Sequence, residues 1–299
     1  MLFRISMLLL GLVATLIGAV AYTHWSLHQL TTPLPSDKAL LDLLSTDAGP
    51  VSIHYVVTAS LQDEDRGDVV FPAFVLRWAD GRQFMIDAGM NEDGANSFYR
   101  KMGWQYKSDG IDSNGNQVAL IAEHIDGLGL THLHEDHVQG VVDLCQSSEK
   151  KIPLYQTEAQ AMKSNYTTLP GVKLIETADC VVPTKLGSEG ALQLIPDFPG
   201  LGVFAVAGHS PGSSVFVAAV EGKLWLIAGD VSWKRDALLG DKPKQVSWFR
   251  ALFIPEDQEH LREVGRWLTR LEENALVNVV LCHDGDALRN SGISILKDH

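Results

Sequence analysis

Cysteine is scarce in this chain. There are three in 299 residues, Cys145, Cys180 and Cys282, and none stands in a C-x-x-C pair. That argues against a cysteine-rich zinc module, and the odd count supplies no disulfide framework. A Cys145–Cys180 bond stays open for an oxidising compartment, although spacing and polarity favour free thiols. Cys282 lies in an apolar run and reads as a buried small hydrophobe. Positive charge is also short: 24 Lys and Arg stand against 37 Asp and Glu, a formal net charge of −13. A negative envelope repels polyanions, so no nucleic-acid partner is expected. A small anionic substrate stays open, because a metal ion brings its own positive charge. From about residue 40 onward the chain lacks Gly/Ser-rich linkers, internal repeats and low-complexity tracts. One domain over 40–299 is the simplest organisation. Hydrophobic residues make up 45% and charged residues 20%, enough for a large core and unlike a disordered chain.

Charge is absent altogether from residues 5–22, ISMLLLGLVATLIGAVAY, which follow Arg4 and the amino terminus. The run is long enough to cross a bilayer as a helix. It also carries Ala19 and Ala21 in the A-x-A arrangement of a secretory signal. The lack of any polar face speaks against a soluble core helix. Residues 1–25 are therefore expected to be a membrane anchor, with a cleaved signal as the alternative. Residues 26–39, with Pro33 and Pro35, are expected to be a tether. The basic start keeps that end cytoplasmic, so the rest is expected in the cell envelope, periplasmic or otherwise extracytoplasmic.

Strand patterns fall at VSIHYVV (51–57), FPAFVLRW (71–78), FMIDAG (84–89) and GLGLTH (127–132), and again from ALQLIPD to KLWLIAGD. Glu221-Gly222 reads as a tight turn between two of them. Residues 117–125 fit a short amphipathic helix, and 138–144 a helix start. Residues 255–273 fit a strong helix, with a proline at the start, acids in the first turn and apolar residues at helical spacing. ALVNVVLCH (275–283) is a last buried strand.

The chemistry concentrates in THLHEDHVQG, residues 131–140, where a buried strand gives way to a helix. His132 and His134 are two apart and point to one side of an extended chain. Asp136 and His137 follow on the turn. Imidazole and carboxylate are what a zinc-like ion takes in a hydrolytic site. Histidines that merely cap strand ends do not arrive as three, with an aspartate, within six residues.

HLHEDH resembles the H-x-H-x-D-H signature of the metallo-β-lactamase superfamily, and further pieces follow in that superfamily's order. IDAG (86–89) resembles its early strand-end Asp, AGHSPGS (207–213) the turn supplying a third histidine, IAGD (227–230) the strand ending in a bridging aspartate, and LCHDGD (281–286) the strand ending in the last histidine. The resemblance implies an α+β fold, a four-layer αβ/βα sandwich with two metal ions at one sheet edge. It places His132, His134 and His209 on the first metal and Asp136, His137 and His283 on the second. Asp230 would bridge the two, and Asp87 would orient the histidine loop rather than bind. The implied cofactor is a pair of zinc ions, with iron or manganese as substitutes. Activity would come from a metal-bridging hydroxide attacking an electrophilic centre, with Asp136 and Asp230 as the carboxylates nearest the chemistry. No separate Ser-His-Asp or Cys-His nucleophile is needed, and the chain is read as containing no G-x-S-x-G.

The superfamily does not fix the substrate. The β-lactamases themselves usually have cysteine or serine where this chain has Asp230. HSPGS and the His283-Asp284 pair look most like the acyl-homoserine-lactone lactonase branch, which often has a tyrosine where Trp233 stands here. A small lactone or ester is the expected substrate. A thioester of the glyoxalase II kind or a phosphodiester is the alternative, and a non-catalytic metal-binding protein the remote one. Residues 230–255 read either as a substrate lid or as a surface loop packed by its own aromatics. As a lid, Trp233, Trp248 and Phe249 would form an apolar wall, with Lys234, Arg235 or Lys242 for an anionic group. His24, His28, His54, His124, His260 and His299 match no ligand position.

Overall fold

The computed structural model of the protein describes residues 2–30, 32–114, 117–187, 189–244 and 248–296. The first two strand patterns belong to one long antiparallel hairpin, β1 (Ser52–Asp63) and β2 (Gly67–Arg77). β2 is buried along almost its whole length, which explains a continuous apolar run where a half-exposed strand would alternate. Pro72 is tolerated there because the next strand, β3 (Gln83–Ile86), pairs only with Phe74–Arg77. The β1 register also slips between Val57 and Ala59, opposite Pro72, where a ladder bond would be missing.

β4 (Asp112–Ser113) flanks β1, and β5 (Gly127–Gly129), β6 (Ile152–Gln156) and β7 (Val181–Lys185) follow β3 in parallel. A second sheet contains β8 (Gln193–Leu194), β9 (Leu201–Ala205), β10 (Ser214–Val220), β11 (Lys223–Ile227) and β12 (Val277–Val280), in the order β12-β11-β10-β9-β8. The chain returns to the first sheet with β13 (Ser294–Ile295), giving the order β13-β1-β2-β3-β5-β6-β7. The β10–β11 turn is the expected one: Glu221 and Gly222 both have left-handed backbone, φ 49° and 75°, as a two-residue hairpin turn demands.

The two sheets face each other across a core that includes Phe74, Phe84, Ile86, Phe216 and Ile227. Val118, Ile121, Val141, Leu144 and Ile175 cover the outer face of the first sheet from its helices. Val264, Leu268 and Leu271 cover the outer face of the second. The result is the expected four-layer αβ/βα sandwich. The helix foreseen at 255–273 spans Gln258–Leu271, and Asp257 caps it by accepting from His260 N at 3.0 Å. Residues 117–125 divide into an α-helix, Gln117–Ile121, and a 3-10 turn, Ala122–His124.

Cys145 and Cys180 form a disulfide, whereas spacing and polarity had favoured free thiols. The pairing is a tertiary product. The helix Val141–Ser147 lies on the outer face of the first sheet, and the parallel entry of β6 and β7 brings Cys180 O to Ile152 N at 2.7 Å. Cys282 is fully buried, as expected.

The first helix runs from Leu2 to His28, through Ser26 and into the stretch read as tether. In its span Leu10–His28 only Thr23 and Leu27 are buried, and Leu12 and Ile17 are 68% and 64% exposed, so this is not a core helix. Among the described residues it is the one helix long and apolar enough to cross a membrane. Its last turns meet the body of the protein, with Thr23 and Leu27 buried. There His24 Nε2 donates to Leu252 O at 3.1 Å.

Candidate metal centre

Five chain segments end at one edge of the two sheets. β3 delivers Asp87, β5 runs into Thr131 and His132, the β9–β10 turn carries His209, β11 leads to Asp230, and β12 leads to His283. Thr131 locks the first two segments together. Its amide donates to Asp87 Oδ1 at 2.6 Å and its hydroxyl to Asp87 Oδ2 at 2.8 Å. Asp87 holds a left-handed backbone, φ 58°, which an ordinary residue keeps only when its surroundings impose it. Gly229, with φ 54°, is needed just before Asp230: a Cβ there would stand 2.9 Å from Thr131 Cβ.

The imidazole nitrogens converge on two points. His209 Nε2 lies 3.1 Å from His132 Nε2 and 3.0 Å from His134 Nδ1. His283 Nε2 lies 3.2 Å from His137 Nε2 and 3.6 Å from Asp136 Oδ2. Asp230 stands between them. Its Oδ2 is 3.3 Å from His209 Nε2, and its Oδ1 is 3.0 Å from His283 Nε2 and 3.4 Å from His137 Nε2. Tetrahedral zinc with nitrogens near 2.05 Å sets neighbouring ligand atoms about 3.3 Å apart, so these edges match a metal-sized vertex set. Asp230 Oδ1 is buried with no hydrogen-bond partner, a group that a cation would satisfy.

The nitrogen that each histidine turns away from these points has an acceptor of its own. His137 Nδ1 faces Asp87 Oδ2 at 2.9 Å, His209 Nδ1 faces Glu256 Oε1 at 2.5 Å, His283 Nδ1 faces Val70 O at 2.8 Å, His134 Nε2 faces Thr167 Oγ1 at 2.9 Å, and His132 Nδ1 faces Thr131 Oγ1 at 3.2 Å. Such partners fix the tautomer and aim the free lone pair inward. His134 therefore presents Nδ1 while the other four present Nε2.

The rings differ in charge, and a cation between the carboxylates would take the place of the proton on His137. Burial, then the neighbouring imidazoles, hold His132 and His134 well below the usual histidine range, so both offer lone pairs. Burial opposes a charge on His137, but Asp87, Asp136 and Asp230 outweigh it and hold the ring well above that range. Burial likewise opposes the Asp230 carboxylate, and His283 and His209 outweigh it and keep it ionised. Asp87, His137 and Cys282 also stand close enough to form a cluster. There both Asp87 oxygens are already engaged, and burial pushes the Cys282 thiol well up, away from the thiolate a metal takes.

Glu256, Lys244 and Arg250, which carry no sequence signature, complete the site together with Trp233. Glu256 Oε1 accepts from Lys244 Nζ at 2.8 Å as well as from His209, and Lys244 Nζ also donates to Asp230 O at 2.6 Å. Arg250 reaches Glu256 Oε2 at 3.5 Å. Burial opposes the Glu256 charge, but Lys244 and His209 hold its carboxyl well below the usual range. Trp233 sits 5.5 Å from the His283 ring, with Lys244 and Arg250 over its face at 4.7 and 4.9 Å. Trp233 is the aromatic expected in the substrate pocket; for Lys244 and Arg250 the only hint in the sequence is their place in 230–255, and Glu256 stands one residue beyond that segment.

A cavity of about 290 Å³ opens over the centre. Its walls include Phe98, Trp104, Tyr106, Trp233, Arg250 and Phe253, and it reaches His134, Asp136, His209 and Asp230. Trp233 thus lines the cavity, while Trp248 is 79% exposed and does not. The side chain of Phe249, residues 245–247 and His299 lie outside the described residues. Lys234 and Arg235 pair away from the cavity, with Asp284 at 3.0 Å and Glu272 at 2.8 Å, and Lys242 is exposed. Among the described residues the cations near the centre instead include Lys244, Arg250 and Arg66, whose guanidinium lies 4.8 Å from the Tyr106 ring and 5.2 Å from the Trp233 ring. Of the remaining histidines, His54 bonds Ser294 and Ser52, His260 bonds Val206 O, and His124 is exposed.

One expectation needs correction: Gly208-His209-Ser210-Pro211-Gly212 does carry G-x-S-x-G spacing. It joins two strands, however, not a strand and a helix. Ser210 is fully buried with its hydroxyl 2.9 Å from Ser213 Oγ, which is no nucleophile elbow.

Residues 66–272 match the family model of the metallo-beta-lactamase superfamily. No curated protein matches the chain by sequence. Among solved structures, it is similar to an N-acyl homoserine lactone hydrolase with the product N-hexanoyl-L-homoserine at its catalytic metal centre. The identity is 14% and the TM-score 0.58, over 82% of this chain and 98% of that one. A variant of AiiA from B. thuringiensis with N-decanoyl-L-homoserine at its active site gives the same values. A probable metal-dependent hydrolase from Staphylococcus aureus gives 14% identity and a TM-score of 0.53, over 79% and 90%.

Proposed function

The chain belongs to the metallo-beta-lactamase superfamily of metal-dependent hydrolases, and from that premise we propose that it opens a lactone or cleaves another ester carrying an apolar arm. His132, His134 and His209 would hold one ion and Asp136, His137 and His283 the other, with zinc the first choice for both. A bound pair of such ions supplies a nucleophilic hydroxide near neutral pH and a Lewis acid for the acceptor oxygen. Asp230 keeps the two ligand sets in register, and Glu256 and Asp87 hold His209 and His137 in the tautomers that face inward. The aromatic walls of the cavity exclude water from the reacting groups and take the apolar arm, while Tyr106 brings a phenol into the same cavity.

The observation that carries this reading is Asp230. One of its oxygens faces each histidine set, and Oδ1 has no other partner. The lactonases of similar fold support a lactone as the first substrate to try. A phosphodiester is the second reading, favoured by Arg250 in the cavity wall, since a guanidinium matches a phosphate oxygen pair. The first helix is read as an uncleaved anchor, and the Cys145–Cys180 bond supports an oxidising, extracytoplasmic setting for the domain.

The test is turnover by the full chain in detergent, loaded with zinc. Ring opening of an N-acyl homoserine lactone is followed by proton release, with a chelated control and with thioester and phosphodiester substrates in parallel. Chelator-sensitive lactone opening is expected. Asp230→Ala should lower both the rate, by at least about 100-fold, and the bound metal below two per chain. Preference for the phosphodiester would replace the first reading with the second, and two metals without turnover on any substrate would remove both.

A further inference from the structure

We propose that the mouth of the metal-centre cavity rests on the bilayer surface, so that an amphiphilic substrate enters from the lipid phase with its apolar arm leading. The occupant of this surface is a zwitterionic leaflet, because a chain of net charge −13 is repelled by an anionic one.

Three observations converge on this. The first is where the anchor leaves the body. The uncharged run ends at Tyr22, and His24, two residues on, donates to Leu252 O at 3.1 Å. At 1.5 Å per residue, Leu252 O stands about 3 Å along the helix axis beyond the hydrocarbon boundary. The headgroup zone is about 5–7 Å deep on each side, so the Leu252 end of the short helix Trp248–Phe253 meets it. Tyr22 and Trp25, 65% and 60% exposed with ring centroids 5.8 Å apart, are the aromatics expected at that level.

The second is that the same short helix is part of the cavity mouth. Phe253 lines the cavity, and Phe253 O accepts from the hydroxyl of Tyr166, another lining residue, at 2.5 Å. One carbonyl of this helix is thus held by the anchor and the next by the rim of the site. The third is the character of the rim. Trp104 is 50% exposed and Tyr166 and Phe253 both 37%, and beside them on the helix Leu252 is 45% and Trp248 79% exposed. A cluster of exposed aromatic and aliphatic side chains on one side of a concave site, next to a membrane helix, marks a membrane contact, with Gln105, Glu135 and Thr167 supplying the polar part of the lining.

The proposal concerns where the mouth sits and is independent of which bond the centre cleaves. It is tested on the full chain in phosphatidylcholine nanodiscs, with single nitroxide labels at Leu252→Cys, at Leu12→Cys in the anchor and at Glu221→Cys in the β10–β11 turn. Power saturation compares contact with oxygen, which partitions into lipid, and with a water-soluble nickel chelate. The label at 12 should favour oxygen most, the label at 252 should fall between the other two, and the label at 221 should favour nickel. As a readout without labels, brominated phosphatidylcholine should quench the tryptophan fluorescence of the unlabelled chain more than that of Trp104→Phe/Trp248→Phe. A lipid-facing label at 12 with a label at 252 as nickel-accessible as that at 221, and equal quenching of the two chains, overturns the docking while leaving the anchor. A nickel-accessible label at 12 overturns both.

Discussion

Glu256 shows how much of this site depends on a single carboxylate. It accepts from His209 and Lys244 through one oxygen, and Gln258 Nε2 donates to the other at 2.8 Å. Glu256→Gln keeps the shape and removes the charge that steadies the His209 tautomer and balances Lys244 and Arg250. Metal affinity at the His132/His134/His209 set is expected to fall about 10- to 100-fold, read by competition with a chromogenic chelator. The metal-free chain is expected to lose about 3–5 kcal/mol, the usual cost of leaving buried cations uncompensated, read by denaturant unfolding. Unchanged affinity together with lowered stability would reduce Glu256 to a packing role. At this scale the sequence was legible where the candidate ligands are neighbours in the chain, as in His132, His134, Asp136 and His137. It was illegible for Glu256, which in PED (255–257) reads as ordinary first-turn acid of a helix. Its value comes from His209, 47 residues away.

Among the elements, the helix Gln258–Leu271 closes one side of the sandwich with Leu261, Val264, Leu268 and Leu271. Two variants separate what its pattern and its cap contribute. Leu268→Ala opens a void against the second sheet and should cost about 2–5 kcal/mol, whereas Asp257→Ala removes only the acceptor for His260 N and should cost about 1 kcal/mol. Unfolding midpoints of the two variants check the order, and a larger loss for the cap would mean that this helix is not held mainly by its apolar stripe. The stripe was readable because helical spacing is a local property. The full extent of the hairpin β1–β2 was not, since where each strand stops depends on the partner beside it, as the slip opposite Pro72 shows.

For the whole molecule, the Cys145–Cys180 bond closes a loop of 35 residues across the outer face of the first sheet. Chain entropy gives such a loop roughly 4 kcal/mol at most, and measured effects usually fall at about 2–4 kcal/mol. Cys145→Ser/Cys180→Ser is therefore expected to unfold at lower denaturant with its metal centre intact, since neither cysteine touches the ligand set. Unaltered stability would mean that the sheet and its helices already hold both ends in place. The first helix belongs to this scale too. Its apolar run was plain in the sequence, but its last turn meets the cavity rim only because the folded body presents Leu252 O to His24.

The sequence by itself determined what depends on neighbours along the chain: the apolar run at the start, the strand and helix periods, and a histidine cluster dense enough to imply the ligands. The order of the remaining strand-end motifs implied the sandwich through its resemblance to a known superfamily. Only the tertiary structure decided which nitrogen each histidine presents, that Asp230 has one oxygen for each set, and that Lys244 and Arg250 stand over Trp233. It also decided that two distant cysteines meet. These are contacts between segments tens to hundreds of residues apart, set by how two sheets pack and where their edges coincide, and no local pattern of residues encodes them.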